Sequence, residues 1–235
     1  VKYEINYSEV QMDGMKYFVP KYAEHRPAAQ TIMRGFYYEE HTHIFMRHVL
    51  NETKKSAIHA GAFFGDMIPN FSRNCLDTLY VFEPVLENYI MAKKSVENNN
   101  LENVVLFNMA LSDKTGSAKM KTIQDNGLHM GGWSHITNED KGTQIVNTIK
   151  IDDLDLKEIS VFHFDVEGHN IEVLKGALRK ISTDEPIILM EDGESKADGL
   201  MELMGYTLMR KTPLINFWST DRYKEICNNA LNFCK

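Results

Sequence analysis

Apolar positions recur along the chain at two spacings, and their alternation predicts a doubly wound α/β fold. Over residues 42–50, Ile44, Phe45, Val49 and Leu50 fall at helical spacing. A short run over 57–60 reads as a strand entering the turn Gly61-Ala62-Phe63-Phe64-Gly65. A helix is expected over 66–74, with Pro69 tolerated because it falls in the first turn. A strand over 79–82, a helix over 87–96 and a strand over 104–108 follow. Strand, helix, strand, helix, strand is the mononucleotide-binding half of a doubly wound sheet.

The second half repeats the theme, with a strand over 160–165, a helix over 171–181 and a strand over 186–190. A helix over 196–204 ends at Gly205, and strands are expected over 207–210 and 214–218. Between the halves, strands over 117–123 and 143–149 flank a polar rim loop, 124–142, read as a β-ribbon insertion. The Asn98-Asn99-Asn100 run and the Gly131-Gly132 pair read as loops. Near the end, Tyr223, Ile226, Cys227, Ala230, Leu231 and Cys234 share one helical face. That face is expected to pack on a sheet edge, with a homodimer contact as the alternative. Residues 1–41 are assigned to an N-terminal cap or lid and 42–235 to the main domain.

Charge and composition narrow the function classes. The 235 residues carry 26 Lys and Arg against 33 Asp and Glu, a net charge of −7. An acidic chain without a basic block disfavours nucleic acid or an anionic membrane surface as its main partner. No apolar run approaches the roughly 20 residues that span a bilayer. Residues 1–22 mix Lys, Glu and Asp with aromatics, unlike a secretory signal, and the opening Val1 suggests numbering that starts inside a longer chain. Cys75, Cys227 and Cys234 make no CxxC pair and leave one over after any disulfide. A reducing cytoplasm is the expected setting. The 13 methionines fit flexible core filling.

Ligands of open parallel sheets bind beyond the carboxyl ends of the strands, at the point where strand order reverses. Here that point is the Gly61–Gly65 turn: Gly61 permits the tight bend and Gly65 lets the next helix pack closely. A dinucleotide site needs glycine again two residues after Gly61, and this chain has Phe63. The bulky side chain argues against a diphosphate and a nicotinamide-dependent dehydrogenase, and for S-adenosylmethionine, which carries adenosine and a cationic methionine. Glu83 closes the second strand 22 residues after Gly61, near the separation at which an acid reaches ribose hydroxyls. Pro84 stops the strand so that the carboxylate projects into the crevice. A third patch, His163, Asp165, Glu167 and His169, falls at alternate positions, a set able to hold a divalent metal on an extended chain. Gly168 interrupts that geometry and His169 is placed to cap the next helix, so no metal is expected.

These residues carry a family resemblance. AIHAGAFFGD at 57–66, VFEP at 81–84, FNMALSDKTGSA at 107–118, FHFDVEGHNIEVLKGA at 162–177 and IILME at 187–191 resemble the FkbM-type methyltransferases. These are a branch of the class I S-adenosylmethionine-dependent, Rossmann-like superfamily. The resemblance implies a seven-stranded, mostly parallel sheet with an antiparallel last strand. It also implies methyl transfer to a hydroxyl, often on a sugar or small metabolite. Gly61 and its neighbours His59, Ala62, Phe63, Gly65 and Asp66 would face the methionine part, and Glu83 with Pro84 the ribose. Ala110, Ser112 or Asp113 would lie near adenine, and Asp165 and Glu167 would face the methyl group and the acceptor.

This chain departs from the family pattern in having His59 for Asp, Phe63 for Asn, His163 for Lys and Asn170 for Glu. Glu39, Glu40, Asp66 or Asp165 could replace the missing acid beside the methionine. The departures keep open a catalytically silent S-adenosylmethionine-binding protein of the same fold.

Displacement at a sulfonium is largely a matter of alignment, and a hydroxyl acceptor must also lose a proton. Asp165 or Glu167 is the expected base. His59 is expected beside Asp165, as a catalytic pair or a structural hydrogen bond. Phe36, Tyr37 and Tyr38, with His129, Trp133 and His135 in the rim loop, are expected to recognise the acceptor or to pack as a lid. His41, His43 and His48 are expected at the surface or as caps.

Overall fold

In a computed structural model that describes residues 4–192 and 195–234, a hairpin of β1 (Tyr7–Met12) and β2 (Met15–Pro20) precedes helix α1 (Pro27–Met33). The chain continues through α2 (Glu40–Thr53), β3 (Ser56–Ala60), α3 (Ile68–Asn74), β4 (Leu79–Phe82), α4 (Leu86–Asn98) and β5 (Val104–Phe107). Short strands β6 (Ala110–Leu111), β7 (Gly116–Lys121), β8 (His135–Ile136) and β9 (Thr143–Ile149) then form a separate four-stranded sheet, ordered β6-β9-β7-β8. The second half is β10 (Ile159–Phe164), α5 (Asn170–Lys175), α6 (Leu178–Asp184), β11 (Ile187–Met190), α7 (Asp198–Leu203), β12 (Thr207–Lys211), β13 (Asn216–Ser219) and α8 (Lys224–Phe233).

Seven strands form the central sheet in the order β12-β13-β11-β10-β3-β4-β5. Pairings from β11 through β5 are parallel, and β13 runs antiparallel to both its neighbours. Strand order reverses between β3 and β10, which places the crevice where the glycine turn predicts it. Side chains alternate between two cores. Ala57, Leu79, Val81, Val161 and Leu189 face α2, α3 and α8, while Ile58, Phe82, Phe162, Phe164, Ile188 and Met190 face α5, α6 and α7. Gly65 adopts φ +86°, and a Cβ there would lie 3.0 Å from the Ala92 Cα, so the close backbone approach it permits is that of α4 rather than of the next helix, α3.

Several elements differ from expectation. The helix expected over 171–181 is two helices, broken at Gly176 and Ala177. The Asp152 carboxylate accepts the backbone N–H groups of Arg179 and Lys180, each at 2.9 Å, and so starts a fresh helix. The β-ribbon belongs to a four-stranded sheet, because Ala110–Leu111 pairs with β9. Cys227, Ala230 and Leu231 are buried within the chain, with α8 packed on α2 and on β12. His43 is buried rather than superficial, its ring 4.5 Å from Tyr37 and 5.4 Å from Phe71. No helix among the described residues is long and apolar enough to cross a membrane.

Candidate active site

One line of backbone hydrogen bonds assembles the site at the carboxyl edge of the sheet. Glu191 N–H donates to the Phe164 carbonyl, Asp165 N–H to Ala60, Gly61 N–H to Phe82 and Glu83 N–H to Phe107, all at 3.0 Å. The first residue beyond each of four adjacent strands is therefore fixed beside the next. Three of the four are acids. Gly61 is required among them: at φ +83°, a Cβ there would sit 1.7 Å from the Asp165 carbonyl oxygen.

The crevice above this line has two lobes that share Gly61, Phe63, Gly132 and Asp165. The first encloses about 500 Å³ of empty space, part of it open to solvent, and is lined by Glu83, Pro84, Val85, Ala110, Met120 and His169 among others. Glu83 is buried at its floor, 4% exposed. One carboxylate oxygen accepts Phe63 N–H at 2.7 Å; the other accepts Val85 N–H at 2.9 Å and an Asn88 amide N–H at 3.4 Å. Burial raises its pKa to about 7 against these hydrogen bonds, which favour the charged form.

The second lobe, about 590 Å³, is lined by Tyr38, Glu39, His59, Asp66, Trp133 and Glu167, with Asp165, Glu191 and Arg26. Burial raises Glu39, Asp66 and Glu167 to about 7. It drives Asp165 well above the ordinary carboxylate range, with Glu191, Glu167 and Glu39 adding to the rise. Glu167 takes a left-handed backbone, φ +44°, and Gly168 follows at φ +80°, which ends the alternation proposed for residues 163–169.

His59 does not pair with Asp165. Parallel register sets it against His163, and the two Nδ1 atoms lie 2.9 Å apart. Both rings are buried, and Phe71 lies 5.3 Å from one and 5.7 Å from the other. Burial lowers both, His163 to about 3 and His59 well below its usual value with further repulsion from His163 and His43. In such a neutral pair one Nδ1 donates and the other accepts.

The N-terminal segment and the rim loop close over the crevice from opposite sides. The Arg26 guanidinium lies 3.4 Å from the Trp133 ring centroid, and the Tyr22 ring lies 4.4 Å from His129. Gly131, at φ +59°, lies against Phe63, where a Cβ would come within 2.9 Å of the Phe63 ring. Phe63, itself left-handed at φ +49°, forms the wall between the lobes and leaves both of them open.

Of the residues singled out in the sequence, Glu83, Pro84 and Ala110 line the first lobe, His59, Asp66, Glu167, Tyr38 and Trp133 the second, and Gly61, Phe63 and Asp165 both. Ala62 and Gly65 support the turn and line neither. Ser112 also lines neither; its hydroxyl bonds His169 Nε2 at 3.0 Å, and His169 in turn lines the first lobe. Arg26 and Asn88 had no role in the sequence reading, Gly131 and Gly132 were read only as a loop, and Glu191 only as the end of a family motif. Glu191 carried a usable signal, since it is an acid directly after a buried strand, as Glu83 and Asp165 are.

The Methyltransferase FkbM domain matches residues 59–210. The crystal structure of a methyltransferase FkbM from Methylobacillus flagellatus is similar with a TM-score of 0.50 at 14% identity, over 70% of this chain and 43% of that one. A Pyrococcus abyssi tRNA (uracil-54, C5)-methyltransferase, solved with S-adenosyl-L-homocysteine, is similar with a TM-score of 0.49 at 10% identity, over 91% and 43%. The chain thus spans less than half the length of either protein, and at these identities the likeness is one of fold. No curated protein matches the chain.

Proposed function

Because the chain belongs to the FkbM methyltransferase family, we propose that its two-lobed crevice binds S-adenosylmethionine and methylates a hydroxyl of a sugar or small metabolite. The observation that carries this reading is the buried Glu83 carboxylate at the floor of the first lobe, one strand away from the glycine turn. Its Oε2, which accepts only Phe63 N–H, keeps a lone pair for a ribose hydroxyl. Ala110, Val85 and Met120 offer apolar walls to an adenine ring, and Gly61 leaves the backbone bare where the ligand passes between lobes. His59 occupies the family's acidic position as a neutral ring, and Asp66 and Glu39 in the same lobe supply the negative charge that a methionine ammonium needs.

Bound S-adenosylmethionine supplies a methyl group on a sulfonium: the acceptor oxygen takes the methyl, and sulfur keeps the bonding pair as a neutral thioether. The chain's contribution is to exclude water, align the acceptor and take its proton. Asp165, shared by both lobes, and Glu167 beside it are the carboxylates placed to receive that proton. Their raised pKa values make them better proton acceptors, when ionised, than ordinary surface carboxylates. Trp133 and Tyr38 give the second lobe aromatic faces suited to a sugar ring.

The test is transfer of a labelled methyl group from S-adenosylmethionine to a panel of hydroxyl-bearing and amine-bearing small molecules. The native chain is expected to label a hydroxyl acceptor, with turnover reduced at least about a hundredfold in Asp165→Asn or Glu167→Gln. Near-native turnover in both variants removes the assigned bases. Cofactor binding without transfer to any acceptor supports the silent binding protein instead.

A further inference from the structure

Arg26 is a buried cation whose hydrogen-bonding edge is unused. The residue is 5% exposed, and its guanidinium stacks on the Trp133 ring. Stacking engages the face of the planar group, whereas its five N–H donors point outward in the plane. Among the described residues none accepts a hydrogen bond from that guanidinium, and none forms an ion pair with it. Burial lowers its pKa; the charge of Glu167 raises it in turn, but from beyond ion-pair distance. Buried charges are paired and buried donors are hydrogen-bonded. This fork is therefore left for an acceptor that the chain itself does not supply.

The fork belongs to the second lobe. Trp133, which it stacks on, and Glu167 and Tyr38, whose charges act on it, line that lobe as Arg26 does. Among the described lining residues Arg26 is the one Lys or Arg, against the carboxyls of Glu39, Asp66, Asp165, Glu167 and Glu191. Arg26 comes from the N-terminal segment that closes over the crevice, and Asp165 and Glu191 from the strand ends beneath. A ligand that spans the lobe meets a hydrogen-bonding cation at one end and proton acceptors at the other.

We propose that the acceptor held in the second lobe is a hydroxy acid, its carboxylate taking two N–H bonds from Arg26 and its hydroxyl facing Asp165 and Glu167. Two parallel N–H groups of a guanidinium match the two oxygens of a carboxylate. Trp133 holds the plane of the fork, so the direction of those bonds is set before the ligand arrives. A single guanidinium balances one negative charge. A phosphate ester carries about −1.5 to −2 and would meet stronger repulsion from Glu167, so the carboxylate is the anion that this lobe fits. That the acid is methylated rests on the methyltransferase reading above, but its binding at Arg26 does not.

The test is a titration of the native chain with glycolate, the smallest hydroxy acid, read by Trp133 fluorescence. The other tryptophan, Trp218, is buried in β13. Saturable binding at millimolar glycolate is expected, at least about tenfold tighter than that of ethylene glycol or inorganic phosphate. Arg26→Gln should weaken it about tenfold or more, and Arg26→Lys, which keeps the charge without the fork, by less. Trp133→Phe should abolish the signal. No saturable binding, equal affinity for ethylene glycol or tighter binding of phosphate overturns the proposal. So does unchanged affinity in both Arg26 variants, or a signal that survives in Trp133→Phe. Calorimetry with S-adenosylhomocysteine on the same preparations separates the two readings. Glycolate binding without nucleoside binding leaves the acid site standing and removes the methyltransferase reading, and the converse removes the acid site alone.

Discussion

The Glu83 carboxylate accepts the backbone N–H of Phe63 at 2.7 Å, so the acid proposed to hold ribose hydroxyls also pins the turn that shapes the crevice. Its other oxygen holds Val85 N–H at the start of α4. In Glu83→Ala both buried amides lose their acceptor. Each such loss costs about 1–3 kcal/mol. Urea unfolding should therefore show Glu83→Ala destabilised by roughly 2–5 kcal/mol, and Glu83→Gln, which keeps one acceptor oxygen, by less. Equal stability of all three proteins would mean that the turn is held by something else.

Glu83 also gives a pH signature with a definite sign. Its pKa rises from 4.5 in the unfolded chain to about 7 on burial. Between those values the folded protein holds the proton more tightly. The contribution to stability is thus complete below pH 4.5 and is lost as pH rises through 7. Other carboxylates, such as Asp77 beside Lys157 and Glu158 beside Lys55, are lowered and act in the opposite direction. The expected observable is therefore a difference. Relative to Glu83→Gln, the native chain should lose roughly 3 kcal/mol between pH 4.5 and 7. Denaturant titrations at several pH values check this, and parallel curves contradict it.

Gly61 and Gly14 separate backbone strain from steric collision. Both have positive φ, +83° and +74°, but a Cβ at Gly61 meets the Asp165 carbonyl at 1.7 Å whereas nothing lies within 4 Å of one at Gly14. Gly14→Ala should cost about 1–2 kcal/mol, the usual penalty of a left-handed residue. Gly61→Ala should cost about 4 kcal/mol or more, or displace β10 from β3 and abolish ligand binding. Thermal melts of the two variants decide the comparison.

The closure over the crevice rests on Arg26 and Trp133, which bridge the N-terminal segment and the rim loop. Trp133 is half-exposed, and a cation–π contact at such a site contributes about 0.5–1 kcal/mol. Arg26→Ala is expected to speed release of bound S-adenosylhomocysteine by roughly two- to fivefold, as read by Trp133 fluorescence in stopped flow. Unchanged release would show that the two segments do not gate the site.

The central sheet was legible because its strands are short, buried and punctuated by glycine, proline or an acid; 79–82 within it, and 143–149 in the four-stranded sheet, match the expected bounds residue for residue. The break between α5 and α6 was hidden because the apolar spacing continues across it; only the distant Asp152 marks the second start. The N-terminal hairpin had a signal in Asp13-Gly14 between alternating residues, a pattern typical of a tight turn. Within the site, strand-end acids declared themselves through position. The pairing of His59 with His163 depended on parallel register, which spacing along the chain does not encode. The contacts of Gly131 with Phe63 and of Arg26 with Trp133 arise from loops that meet only in three dimensions.

The most direct measurement is calorimetric titration of the native chain with S-adenosylhomocysteine. Saturable binding of one molecule per chain, lost or weakened at least about tenfold in Glu83→Ala, is the expected result. Absence of binding at millimolar ligand, on a chain shown to be folded, would contradict the assignment of the crevice to an adenosine-bearing sulfonium cofactor.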